Sequence, residues 1–139
     1  MLIRDLMTTN VIVISPNATI KDAAYLMSRN NVGCLLVVED RKVKGILTER
    51  DMLKRALATD MHLENLRIMD IMTKGILTVE EDKDIDYAID LMTKRNIKKL
   101  PVLSEGKLAG IITASDIFKA KYEKVGAVSG LGKMLFKGR

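Results

Sequence analysis

Gly45-Ile46-Leu47-Thr48-Glu49-Arg50-Asp51 returns as Gly110-Ile111-Ile112-Thr113-Ala114-Ser115-Asp116, 65 positions further along the chain. The same shift lays Asp5, Met7 and Thr8 on Asp70, Met72 and Thr73, and Ile20, Ala23, Leu26, Met27 and Asn31 on Ile85, Ala88, Leu91, Met92 and Asn96. Val37, Lys42 and Lys54 likewise meet Val102, Lys107 and Lys119. No gap is needed between Asp5 and Lys119, so the chain is a tandem duplication of one folding unit. The division that follows is repeat 1 at 1–58, a linker at 59–67, repeat 2 at 68–122 and a basic, glycine-containing tail at 123–139. Two copies of one half-buried unit are expected to cover each other's apolar faces by pseudo-two-fold symmetry, which makes their seam a candidate site.

Within each repeat the order reads strand, helix, strand, strand, helix. Val11-Ile12-Val13-Ile14 and Ile76-Leu77-Thr78-Val79 are predicted first strands. Thr19 and Asp84 stand where they can cap the helices that follow. Those helices place Ile20, Ala23, Ala24 and Met27, or Ile85, Ala88, Ile89 and Met92, on one face. Leu35 to Val38 and Leu100 to Leu103 read as short strands buried on both sides, each paired through a tight turn with the strand ending in Leu47 or Ile112. Pro101 has no amide hydrogen, which predicts an edge strand or a strand start there. The fold class is therefore α/β (α+β): two pseudo-symmetric repeats, each a small three-stranded sheet on two helices, joined face to face.

Composition excludes several functions. The chain has 139 residues, one Cys and one His. It can form no intrachain disulfide, and Cys34 with His62 gives no zinc-ligand spacing. A Ser-His-Asp arrangement and a glycine-rich phosphate loop are also missing, so neither catalysis nor a metal is expected. No apolar run reaches membrane-spanning length, and cytoplasmic residence is the expectation. The net charge of +5 permits an anionic partner, with part of the excess in Lys119, Lys121, Lys124, Lys133, Lys137 and Arg139. Nucleic-acid binding through that tail is a minor alternative, because aromatics are only 4% of the residues and supply few stacking platforms.

Thr48-x-x-Asp51 and Thr113-x-x-Asp116 each fall where a strand hands over to a helix. Such a pair has a structural reading, the capping box, in which Thr and Asp satisfy free amides at the helix start. It also has a functional one, since a carboxylate accepts paired hydrogen bonds from a vicinal diol such as ribose. Both readings stand, and one pair of residues can serve both.

The ordered set of Asp-x-Met-Thr, a capped helix with Ala-x-x-Leu-Met, Leu-Pro-Val in the second copy and the closing Gly-x-x-Thr-x-x-Asp resembles the paired cystathionine β-synthase (CBS) domains known as a Bateman module, from about Ile3 to Lys121. The resemblance implies AMP, ADP, ATP or S-adenosylmethionine bound as ligand, not cofactor, in two clefts between the repeats. It implies ribose contacts from Asp51 and Asp116, with Thr48, Thr113, Arg50 and Ser115 beside them. Purine contacts would come from Gly75, Ile76 and Ile97 in the Asp51 cleft and from Val11, Ile12 and Val32 in the Asp116 cleft. Lys98 and Lys99 are similar to basic residues that reach phosphates in the γ subunit of AMP-activated kinase, although they also read as solvated turn residues. Copy one has Gly33-Cys34 there, so the Asp51 cleft should favour the more phosphorylated ligand and the Asp116 cleft should be weaker or empty. A regulatory module follows, a homodimer acting on an unidentified protein. The alternative is a constitutive scaffold with little ligand binding.

Overall fold

The structure is a computed structural model that describes residues 1–125. Expectations for the basic tail fall outside the described residues, apart from 123–125, which end the last helix. Two compact units divide the chain, and they do not coincide with the sequence repeats: 11–76 form one, while 1–10 join the stretch beginning at Leu77 in the other. The opening segment of each repeat is thus built into the unit that carries the body of the other.

In unit 11–76, β1 (Val13–Ile14), β2 (Cys34–Glu39) and β3 (Lys42–Thr48) form a sheet in the order β1-β2-β3, with β1 parallel and β3 antiparallel to β2. Helix α2 (Ile20–Asn30) starts at Thr19, whose hydroxyl accepts the Asp22 amide at 3.1 Å, and stops at Asn31 in the left-handed region. Asn tolerates that conformation better than most side chains. The β2–β3 turn uses Asp40 and Arg41, both at positive φ, as the right-handed strand twist favours. After β3 come α3 (Glu49–Asp51), a π-helical turn over Met52–Leu57 and, past the linker, α4 (Ile68–Ile71). The core joins Ile20, Ala23 and Met27 of α2 to Leu35, Val37 and Leu47 of the sheet, with Ile68 and Ile71 of α4 closing it.

The other unit repeats this plan. Its sheet runs β4 (Val79–Glu80), β5 (Lys99–Ser104) and β6 (Lys107–Thr113), again parallel then antiparallel. Helix α5 (Ile85–Arg95) is capped by Asp84 and ends at Asn96, and α6 (Ala114–Val125) is α-helical where the first copy has its π turn. Here α1 (Ile3–Leu6) closes the core, with Ile3 fully buried beside Leu100, Val102 and Ile112.

The edge position expected for Pro101 is corrected: β5 is the central strand. Pro101 lies opposite Ile111, whose amide and carbonyl are both bonded to Thr8. The missing donor of Pro101 therefore faces the β4 side, where β4 begins its pairing only at Val102. In the first copy the corresponding Leu36 does donate, to Ile12, at a long 3.4 Å. A proline fits a central strand when its neighbour is too short to need the bond.

Candidate functional site

Thr48 ends β3 and caps the helix that follows. Its hydroxyl accepts the Asp51 amide at 3.1 Å, and Oδ2 of Asp51 accepts the Thr48 amide at 3.0 Å. The second copy has the same reciprocal pair, with Thr113 and Asp116 at 3.0 and 3.1 Å. The capping reading is therefore realised in both copies. Each box consumes one face of a carboxylate, and a carboxylate has about four acceptor positions, so capping leaves it acceptor capacity.

The copies differ in what else surrounds that carboxylate. Asp51 is the one charged residue buried among the described residues, at 7% exposure. A buried carboxylate needs partners, and Asp51 has two beyond its box. The Thr73 hydroxyl donates from 3.3 Å, and the Arg55 guanidinium stands 3.7 Å away. Arg55 also donates to the carbonyls of Ile71 and Met72 at 3.3 and 3.2 Å, at the end of α4 where carbonyls lack helical partners. In the second copy Ala120 occupies the position matching Arg55, and Asp116 is only half-buried.

Thr73 arrives through strand pairing. Its amide and carbonyl bond to Ile46 of β3 at 2.8 and 2.9 Å, and Thr8 bonds to Ile111 of β6 in the same way at 2.9 Å each. Gly45 and Gly110 allow this approach. A Cβ on Gly45 would come within 2.5 Å of the Thr73 carbonyl oxygen, and one on Gly110 within 2.6 Å of that of Thr8. The first residue of the repeated motif is thus glycine because another backbone lies where its side chain would go.

Unit 11–76 therefore brings Thr48, Asp51 and Thr73 together, with exposed Arg50 beside them in sequence and Gly75 and half-buried Ile76 just past Thr73. Val11, Ile12 and Val32 belong to this unit too, all half-buried. Thr113, Ser115 and Asp116, half-buried, belong to the other unit, as do Ile97, Lys98 and Lys99 at the entry to β5, where both lysines are exposed. Arg55, Thr73 and Thr8 went unnoticed in the sequence as site residues, although Thr8 and Thr73 were visible as a repeated pair. Arg55 is absent from the second copy, and its one signal was its four-residue spacing from Asp51. The largest cavity described, about 590 Å³, lies elsewhere, between α2 and the linker, and is lined by Ile20, Leu57 and Leu63 among others. No helix among the described residues is long and apolar enough to cross a membrane, and no group of three metal-ligating side chains occurs there.

Comparison with known proteins supplies a frame for this geometry. The CBS domain profile matches residues 3–58 and again 68–123. The CBS domain-containing protein YhcV of Bacillus subtilis is 34% identical over 115 residues, covering 83% of this chain and 81% of that protein. The inosine-5'-monophosphate dehydrogenase of Thermoplasma acidophilum is 38% identical over 109 residues, but these make up only 21% of the enzyme. Among solved structures, the CBS domain pair of protein MJ0100, in complex with 5'-methylthioadenosine and S-adenosylmethionine, matches at a TM-score of 0.74 and 31% identity, covering 89% of this chain and 98% of that one. CBSX2 in complex with AMP matches at a TM-score of 0.76 and 25% identity, covering 89% and 98%. The two sequence repeats, each closing on its Thr/Asp box, are CBS domains, and the chain belongs to the CBS domain family as a tandem pair.

Proposed function

We propose that this CBS pair is a regulatory module, not an enzyme, that binds an adenosine-containing ligand at the Thr48/Asp51 and Thr113/Asp116 sites and passes its ligand state to another protein. The observation that carries the reading is the buried carboxylate of Asp51, oriented by Thr48 and Thr73 and holding acceptor capacity for a diol. The complexes of MJ0100 with S-adenosylmethionine and of CBSX2 with AMP support the ligand class. AMP, ADP, ATP and S-adenosylmethionine share the ribose diol that the Asp51 carboxylate is placed to receive. No resident cofactor is needed. The module acts in the cytoplasm as a homodimer, a state favoured by the large apolar side chains exposed on its helices, Leu53, Leu57 and Phe118 among them.

A ligand that binds only the native state raises its melting temperature. Millimolar AMP, ADP, ATP and S-adenosylmethionine are each added in a thermal melt, and at least one is expected to shift the midpoint upward. Titration calorimetry with Asp51→Ala then reads the diol contact, with the affinity for whichever nucleotide shifts the midpoint falling. If none of the four shifts the midpoint, the sensory reading fails and the constitutive scaffold takes its place.

A further inference from the structure

The two Thr/Asp boxes match in their hydrogen bonds and differ in the charges around them. Beside Asp51 stand Arg55, with Nε 3.7 Å from Oδ1, and exposed Arg50, one residue before the carboxylate. The matching positions in the second copy are Ala120 and Ser115. Glu49, matched by Ala114, does not cancel the difference. Its carboxyl is turned onto Gly33, where an added Cβ would meet Oε1 at 2.6 Å, in the groove beside α2. Lys54 and Lys119 are duplicate positions, both exposed, and distinguish nothing.

Arg55 is also held where it is. Its Nη1 donates to the carbonyls of Ile71 and Met72 at 3.3 and 3.2 Å and to the Thr73 hydroxyl at 3.5 Å. A guanidinium tied to backbone acceptors is less free to swing into solvent than an untethered surface arginine, so its charge stays beside Asp51. Among the described residues no basic side chain stands at ion-pair distance from Asp116, and its only hydrogen bonds are those of its box. The first carboxylate is therefore compensated, and the second keeps its full negative charge.

We propose that the two sites sort adenosine ligands by the charge of the 5' group: the Asp51 site takes an anionic 5'-phosphate, and the Asp116 site takes a cationic 5'-sulfonium. A carboxylate that accepts from the ribose diol is blind to the 5' group by hydrogen bonding alone. That group lies one sugar ring away, close enough for the net charge around the carboxylate to act on it. Water screens half-exposed Arg55 while the site is open, and a ligand that displaces this water strengthens the effect of the charge. An uncompensated carboxylate repels a phosphate as it attracts a sulfonium, so the same difference rejects one ligand and selects the other. This inference rests on the reading of the boxes as ribose sites and adds which ligand each one prefers.

Titration calorimetry on the full chain reads the sorting, with AMP as the anionic probe, S-adenosylmethionine as the cationic one and 5'-methylthioadenosine as the neutral one. Asp116→Asn leaves the first site and Asp51→Asn the second. AMP is expected to bind the Asp116→Asn protein about tenfold more tightly than S-adenosylmethionine does, the order reverses in the Asp51→Asn protein, and 5'-methylthioadenosine binds both. Adding Arg55→Gln to Asp116→Asn keeps a donor for the α4 carbonyls and lowers AMP affinity by about an order of magnitude, while S-adenosylmethionine holds or tightens. Adding Ala120→Arg to Asp51→Asn moves the second site's preference toward AMP. The same order of ligands at both sites, or an Arg55→Gln change that weakens all three equally, overturns the sorting while leaving the ribose sites intact. If none of the three binds the unaltered chain, the ribose-site reading itself fails, and the proposal with it.

Discussion

The hydroxyl of Thr73 lies 3.3 Å from Oδ1 of Asp51, 22 residues earlier in the chain, so the opening segment of one repeat helps orient the carboxylate that closes the other. Asp51 thereby has a structural and a proposed ligand-binding role, and two substitutions separate them. Asp51→Asn keeps an acceptor for the Thr48 amide and is expected to retain most of the stability while losing nucleotide affinity tenfold or more. Asp51→Ala loses both, and its stability falls by about 1–3 kcal/mol because the Thr48 amide and Thr73 hydroxyl lose their partner. Denaturant melts and titration calorimetry on the same preparations give the two quantities.

Arg55 ties the π turn to the end of α4. Half of its side chain is exposed, which screens its approach to Asp51, so its bonds to the Ile71 and Met72 carbonyls matter more than its charge. Arg55→Ala is expected to cost about 1 kcal/mol in urea unfolding. Arg55→Lys should recover only part of this, because an ammonium lacks the planar fork that reaches several acceptors at once.

Gly45→Ala and Gly110→Ala place a methyl group against backbone, which cannot rotate aside as a side chain does. Each should force apart one strand contact, Ile46 with Thr73 or Ile111 with Thr8, and destabilise by about 1–3 kcal/mol. Faster hydrogen exchange at the Thr73 or Thr8 amide, respectively, locates the damage.

Acid sensitivity should come in part from the caps. Hydrogen bonds from the Thr19 amide and then its hydroxyl hold the Asp22 carboxyl below its ordinary value of 3.8, and the Asp86 amide does the same for Asp84. A carboxyl with a lowered folded-state value favours the native state fully above 3.8 and loses that contribution as pH falls from there through the folded-state value. Asp22→Asn is expected to lower stability modestly above pH 3.8, where the ionised carboxyl contributes, and to flatten the fall below it, as denaturant midpoints across the pH range will read.

Much of the fold could be read from the chain because its signals were local. Thr19 and Asp84 capped helices, Asn31 and Asn96 ended them, and both hairpins formed around their two-residue turns, each by contacts within a few residues. The central place of Pro101 could not be read, since it depends on how far β4 extends beside it. The exchange of opening segments was equally invisible: a repeat's own sequence states that Thr73 precedes a strand, not which β3 it will meet. At the site, Thr48 and Asp51 were legible because their box is three residues wide. The contacts of Arg55 with Ile71 and of Thr73 with Asp51 span 16 and 22 residues and had no spacing rule to reveal them.

The exchanged opening segments also govern how this chain can be dissected. Cutting it between the sequence repeats strips Ile68 and Ile71 from one core and strands Ile3 away from the other. The fragment that keeps its own core, hairpin and Thr73 bridge runs from Val11 to Ile76, and its complement is made of two pieces. A rearranged gene that begins near Leu77, runs through the second repeat and is joined by a linker to residues 1–10 would make that complement continuous.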